Sequence, residues 1–179
     1  MVFGGFSTRE QASNDPHDFA IVPGQGIVDT DEKKPWDIAL YLSQVFWQAE
    51  DDANRKATIL IGGTVGPDNP QFAQYNFFTA VEAYGLMASR PHDRMGVAFW
   101  YNWLSDDFKE LVSPVEDLRD FWGVELYYNI ALNKWLHLTP GLQFIKNEHG
   151  GQPEIPFVQK KKNGDDLAII PGVRLVMDF

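Results

Sequence analysis

Ten polar or aromatic side chains fall at alternating positions in otherwise apolar runs. They are Arg94, Trp100 and Asn102 in RMGVAFWYNWL, Glu125, Tyr127 and Asn129 in FWGVELYYNIAL, and Glu82, His137, Gln143 and Arg174 in neighbouring runs. Carboxylates, guanidinium groups, carboxamides and an imidazole exchange hydrogen bonds with water and hydroxyls, or pair across strands, as Arg94 could with Glu82 or Glu125. They do not compose a reactive centre. IGGTVGPDNP is glycine-rich but lacks the Gly-Lys-Ser/Thr of a phosphate cradle and reads as a tight turn. His17, His92, His137 and His149 lack metal-ligand spacing. The acidic clusters EDD, SDD and NGDD lack a calcium-loop pattern and read as solvated turns. Ser43, Ser89, Ser105 and Ser113 sit in no nucleophile elbow. Neither an enzyme, a metal nor a cofactor is expected.

The elements that must position these groups are strands. From Trp36 onward, alternating segments of about ten residues or more are separated by polar, turn-rich breaks. The segments are WDIALYLSQVFWQ, KATILIGGTVG, QYNFFTAVEAYGLM, RMGVAFWYNWL, FWGVELYYNIAL, WLHLTPGLQFI and a terminal strand from about Leu167 to Phe179. In FWGVELYYNIAL, Trp122, Val124, Leu126, Tyr128, Ile130 and Leu132 are apolar at a period of two, and no helical stripe matches them as well. Met95, Val97, Phe99, Tyr101 and Trp103 do the same in RMGVAFWYNWL. The breaks differ: a two-residue Asn133-Lys134 turn and four- or five-residue turns suit hairpins, whereas 105–120 and 146–166 are long. Residues 1–35 are less legible, with MVFGGFS and DFAIVPGQG as candidate strands around a polar loop. No repeat or second domain is marked, so 1–179 reads as a single segment.

Bulk properties narrow the environment. A net charge of −10 and a sequence pI near 4.7 argue against wrapping a nucleic-acid backbone, and the only basic run, Lys160 to Asn163, precedes two acids. The absence of cysteine excludes disulfides and thiolate metal sites. No run approaches the roughly 18 apolar residues of a spanning helix. Membrane strands alternate, however, so a mean hydropathy of −0.28 does not exclude them.

Periodicity alone does not say which face meets water. In a soluble sandwich the apolar face turns inward; in a membrane barrel it faces lipid and the polar set lines the lumen. Three features favour the barrel. Aromatics cluster at segment ends (Trp36, Trp47, Trp103, Phe121, Trp122, Trp135, Phe179), where interfacial girdles would sit. The strands exceed the five or six residues usual in small sandwiches. The polar face mixes Glu, Arg, Asn, Gln and His with small residues, which suits a hydrated passage. A last strand with Val173, Leu175, Met177 and a final Phe179 has the form of the signal read by barrel-assembly machinery. The rival is a soluble β-barrel with its aromatic face inward around a small hydrophobic ligand.

VELYYNIALNKWLHLTPGLQFI (124–145) resembles the penultimate hairpin of carbohydrate-selective porins of the OprB type. RPHDRMGVAFWYNWLSDDF (90–108), with a final strand ending in Phe, resembles the same family. ALYLSQVFWQ followed by ILIGGTVGPDNPQFAQYNFFTAVEAYGLM resembles the hairpins before it. The resemblance covers roughly Trp36 to Phe179. It implies an all-β, antiparallel transmembrane β-barrel of about sixteen strands, of which seven to nine are present here, about the C-terminal half. The lack of a charged-then-apolar signal peptide at MVFGGFSTRE agrees with truncation at the front. The implied function is an outer-membrane channel for passive diffusion of sugars and small hydrophilic solutes. Its implied partners are outer-membrane lipid, the barrel-assembly machinery and further copies in a homo-oligomer, a trimer. The ten residues above become pore-lining candidates: sugars favour aromatic faces for stacking and polar groups for their hydroxyls.

Overall fold

Alternation of large apolar with small or polar residues gives each long segment two unlike faces, which only an extended strand can present. A computed structural model describes residues 2–6, 8–31, 33–114, 117–146 and 167–177. Its main feature is an eight-stranded antiparallel sheet made of β1 (Val2–Phe6), β4 (Trp36–Gln48), β5 (Lys56–Val65), β6 (Ala73–Tyr84), β7 (Arg94–Leu104), β8 (Phe121–Ala131), β9 (Leu136–Lys146) and β10 (Leu167–Met177), adjacent in that order. β2 (Phe19–Val22) and β3 (Gly26–Asp29) form a separate hairpin. No pairing joins β1 to β10 among the described residues, so the sheet is open.

The register carries the two faces unbroken across the sheet. Ile61 opposes Leu42 and Thr79, Val97 opposes Val81 and Leu126, and Leu142 opposes Leu126 and Pro171. This face is apolar from β4 to β10, and no second layer covers it among the described residues. Leu42 is 55% exposed, Leu126 44% and Val173 73%. Exposure of that extent over a whole sheet face is far beyond the scattered apolar residues of a water-soluble surface. Its rims are aromatic. Trp36, Tyr75, Trp103 and Trp122 lie toward one end, with Tyr75 and Trp103 edge-to-face at 6.4 Å. Trp47, Tyr128 and Trp135 lie toward the other. An eleven-residue strand such as β7 runs about 36 Å. Tilted by about 40°, it spans about 28 Å along a membrane normal, close to the roughly 25 Å apolar band of such walls.

Connections at the two ends overlap in length: 49–55 and 85–93, of seven and nine residues, exceed the four or five expected, and the β5–β6 link 66–72 at the other end has seven. At one end lie the turns 49–55, 85–93 and 132–135. At the other lie the links from β1 to β4, β5 to β6, β7 to β8 and β9 to β10, of which 147–166 falls outside the described residues. The Asn133-Lys134 turn is wider than two residues: the Asn133 side chain accepts from Trp135 N at 2.9 Å, drawing Leu132 and Trp135 into the turn. The polar stretch 105–120 contains a helix, α1 (Asp106–Val112). Ser105 caps it by accepting from Phe108 N at 3.1 Å, and two aspartates in the first turn complement the helix dipole. Residues 1–35 contain β1 and the β2–β3 hairpin, whose turn uses Gly24 and Gly26 at φ of +82° and +86°.

Pro140 has a local consequence. It has no N–H to give, and the β8–β9 register lapses between Tyr127–Gly141 and Ile130–Leu138. Side chains bridge the gap: Asn129 Nδ2 donates to Thr139 Oγ1 at 2.6 Å, and His137 Nδ1 lies 3.1 Å from Asn129 Oδ1.

Candidate functional site: the polar face of the sheet

The second face of the sheet carries all ten of the singled-out side chains. Strand parity explains the common side: one alternate set of each strand opposes the corresponding set of its neighbour. The residues fall into transverse rows. Nearest the long connections, Asn102 opposes Asn76, and the Asn76 amide donates to it at 2.7 Å. The next row runs Tyr41, Gly62, Phe78, Trp100, Gly123, Ile145. A third holds Ala80, Ala98, Glu125 and Gln143, and a fourth Glu82, Gly96, Tyr127, Gly141 and Gly172. Nearest the short turns are Tyr84, Arg94 and Asn129, with Arg174 opposite Thr139 and His137 beside Asn129.

Glu82, Arg94, Glu125, Tyr127, Asn129, His137 and Arg174 converge, with Thr139 and Val176, on a hollow of about 480 Å³. The Tyr127 hydroxyl donates to Glu82 Oε2 across β7, over the space left by Gly96. The Arg94 guanidinium sits 5.2 Å from the centre of the Tyr84 ring, a cation–π distance. The patch therefore holds two carboxylates, two guanidinium groups, an imidazole and one amide around a single hollow. It offers donors and acceptors of both charges but no nucleophile–base pair. No cluster of metal-ligating side chains exists among the described residues. Trp100, Asn102 and Gln143 lie outside this hollow, in rows nearer the long connections. Sequence reasoning passed over Tyr41, Asn76, Phe78, Tyr84 and Thr139 on the same face; the parity that selects Glu82 in β6 also selects Asn76, Phe78 and Tyr84.

Of the C-terminal set, Val173, Leu175 and Met177 project from the apolar face opposite Pro140, Leu138 and Leu136. Phe179 lies outside the described residues.

The end with longer connections is organised by charge and hydrogen bonds. Buried Ser13 donates through N to Asp29 Oδ2 at 2.7 Å and through Oγ to Asp18 Oδ2 at 2.5 Å. Asn14 N donates to Asn69 Oδ1 at 2.9 Å, docking the β1–β4 segment onto the β5–β6 connection. His17 is raised above its ordinary pKa, chiefly by its hydrogen bond to Asp15.

An apolar, aromatic-rimmed outer face backed by a hydrophilic one, in long meandering antiparallel strands, defines a segment of transmembrane β-barrel wall. The model of the carbohydrate-selective porin, OprB family, matches residues 2–179, and the chain belongs to that family. Porin B of Pseudomonas aeruginosa is 27% identical over 110 residues, covering 53% of this chain and 22% of that protein. The high-pH structure of Pseudomonas putida OprB superposes with a TM-score of 0.73 at 21% identity, covering 99% of this chain and 44% of that one. The chain spans less than half the length of these relatives. The fold expectation of an antiparallel porin sheet holds, with the sheet left open over this part of the wall.

Proposed function

We propose that this chain forms part of the wall of a bacterial outer-membrane porin through which carbohydrates and other small hydrophilic solutes diffuse passively. The observation that carries the reading is the pairing of a bare apolar face with a continuous polar one, in a chain of the carbohydrate-selective porin family. Nothing of the soluble alternative is favoured: its apolar face would need a covering layer.

In this reading Glu82, Arg94, Trp100, Asn102, Glu125, Tyr127, Asn129, His137, Gln143 and Arg174 line the lumen. Neutral sugars carry many hydroxyls and no charge, so a wall with both carboxylates and guanidinium groups replaces lost water on either side of each hydroxyl. Catalysis has no part in this, and selection comes from width and lining. Val173, Leu175 and Met177, with Phe179, form the signal for barrel assembly. Whole barrels associate as a homotrimer, which the mass of the detergent-solubilised protein would report.

Reconstitution of the whole protein in planar bilayers and in vesicles tests the channel. Ohmic conductance steps and vesicle swelling in sugar solutions are expected. A protein that stays monomeric in plain buffer and gives no steps would refute it.

A further inference from the structure

The chain carries 25 acidic and 15 basic residues, so an arginine without a carboxylate partner needs a reason. Arg55, Arg90 and Arg119 each pair with an aspartate. Arg94 and Arg174 make no ion pair among the described residues, although both line the hollow of about 480 Å³ on the polar face. Of the two carboxylates there, Glu82 is engaged by the Tyr127 hydroxyl. Arg94 lies 5.2 Å from the centre of the Tyr84 ring, a contact that holds the guanidinium without an anion.

The register puts the two arginines in one row. Arg94 opposes Asn129, the Asn129 amide nitrogen donates to Thr139 Oγ1 at 2.6 Å, and Thr139 opposes Arg174. Four strands at about 4.8 Å spacing set the two arginine Cα positions about 14 Å apart, with the carboxamide and the hydroxyl between them. His137 Nδ1, carrying the proton, engages Asn129 Oδ1 at 3.1 Å. Asn129 keeps a second N–H, and Thr139, having accepted, keeps its O–H. The row therefore presents donors: two guanidinium groups, an N–H and an O–H. In the adjoining row Gly141 opposes Gly172. A Cβ on Gly172 would meet nothing within 4 Å, and one on Gly141 nothing closer than 3.4 Å. Along β9, no side chain stands between Thr139 and Gln143, which opposes Glu125.

Resting on the channel reading above, we propose that Arg94, Asn129, Thr139 and Arg174 form a seat for the carboxylate of a sugar acid, a uronate or aldonate, near the short-turn mouth of the lumen. A guanidinium fork gives a carboxylate two parallel N–H···O bonds, a match that a neutral hydroxyl does not provide. The Asn129 N–H and the Thr139 O–H take the remaining lone pairs. The hydroxylated body of the molecule then lies over Gly141 and Gly172, where Gln143 and Glu125 take its hydroxyls. Glu82 and Glu125 also limit the charge admitted, because they repel a second negative group. Singly charged sugar acids are therefore the selected class.

The test uses the whole protein in planar bilayers at fixed ionic strength. It reads the half-saturation concentrations for current block by glucuronate and by glucose, its neutral counterpart. The native protein should be half-saturated by glucuronate at a concentration about 10-fold lower than by glucose. Arg94→Gln and Arg174→Gln should each reduce that preference about 5-fold, equivalent to about 1 kcal/mol. Arg94→Lys keeps the charge but loses the fork and should fall between; it serves in place of Arg94→Gln should that variant not insert. Arg119→Gln removes an equal charge outside the hollow and should leave the preference within about twofold. Three results would overturn the seat and leave the channel standing: no preference in the native protein, a preference unchanged within about twofold in both glutamine variants of the hollow, or an equal loss in Arg119→Gln. Absence of salt conductance in the native protein removes the channel reading, and the seat with it.

Discussion

Asp93 offers the sharpest test of what holds the short-turn end together. It sits in the β6–β7 turn, 4% exposed. Its Oδ2 accepts from Arg90 Nε at 2.8 Å and from the Tyr128 hydroxyl at 2.6 Å; its Oδ1 accepts from Arg90 Nη2 and Ala131 N, both at 3.0 Å. One carboxylate thereby ties the turn to the end of β8. Asp93→Asn keeps the shape and puts an NH2 where one oxygen accepted. With the amide oxygen kept toward Ala131, its nitrogen meets the Arg90 Nε–H, donor against donor. Tyr128 can rotate its hydroxyl to accept, and Arg90, 43% exposed, can turn to water. A hydrogen bond to a charged group contributes about 1.5–3 kcal/mol. Discounted for that rehydration, the loss should be about 2–3 kcal/mol. The pH dependence carries a sign. Burial pushes the Asp93 carboxyl up, but hydrogen bonds from Arg90, Tyr128 and the Ala131 N–H outweigh it and hold the group below its ordinary value. A depressed carboxyl stabilises the folded state fully above its unfolded pKa of about 3.9 and loses that contribution as pH falls through the folded value. Urea titrations of the protein in lipid vesicles should show the full gap between native and Asp93→Asn at pH 7, narrowing as pH is taken below about 4. A gap under about 1 kcal/mol at neutral pH, or one equally wide in acid, would refute the argument.

Two further outcomes follow from the faces and the long-connection end. Leu126→Arg places a charge mid-strand on the apolar face and should cost about 2–4 kcal/mol in vesicles, whereas Ala98→Ser on the polar face should cost little; equal losses in the same urea titration would contradict the assignment of faces. Asp15→Asn should return the raised His17 pKa toward 6.5, read by NMR titration of the imidazole, since the Asp15 carboxylate is its leading cause; an unmoved titration would show that the hydrogen bond does not act in solution.

Strand positions were legible because alternation is a local property. β4 and β7 run from Trp36 to Gln48 and from Arg94 to Leu104 as their patterns indicate. The common side of Glu82, Arg94, Glu125 and Arg174 followed from parity within each strand. The rows did not, because register across strands depends on turn geometry and on the β4 bulge between Val45 and Trp47. The packing of the Tyr41 and Phe78 rings over Gly62, and of the Trp100 ring over Gly123, was hidden for the same reason: it takes a neighbour's ring at the same rung. Helix α1 escaped notice because seven residues give too short a stripe to register as helical periodicity, although Ser105 followed by two aspartates is a start signal. Pro140 would ordinarily argue against an inner strand. It is accommodated because Asn129 and Thr139 supply a side-chain bond where the ladder lapses.

The open edges constrain how the wall is completed. β1 and β10 are the first and last of eight strands alternating in direction, so they run antiparallel to each other. They must either pair directly or be joined through an even number of further strands. About half the backbone N–H and C=O groups of eleven-residue β10 face the open side. Each left unsatisfied in lipid costs several kcal/mol, so a bare edge is penalised by tens of kcal/mol and cannot stand. Direct pairing would make an eight-stranded cylinder, whose interior is only wide enough for side chains to fill. Tyr41, Phe78, Trp100, Tyr127, Arg94 and Arg174 would then compete for one narrow core, burying two guanidinium groups with little water. Joining the edges through further strands would remove both penalties together: the backbone is paired, and the charged rows stay hydrated.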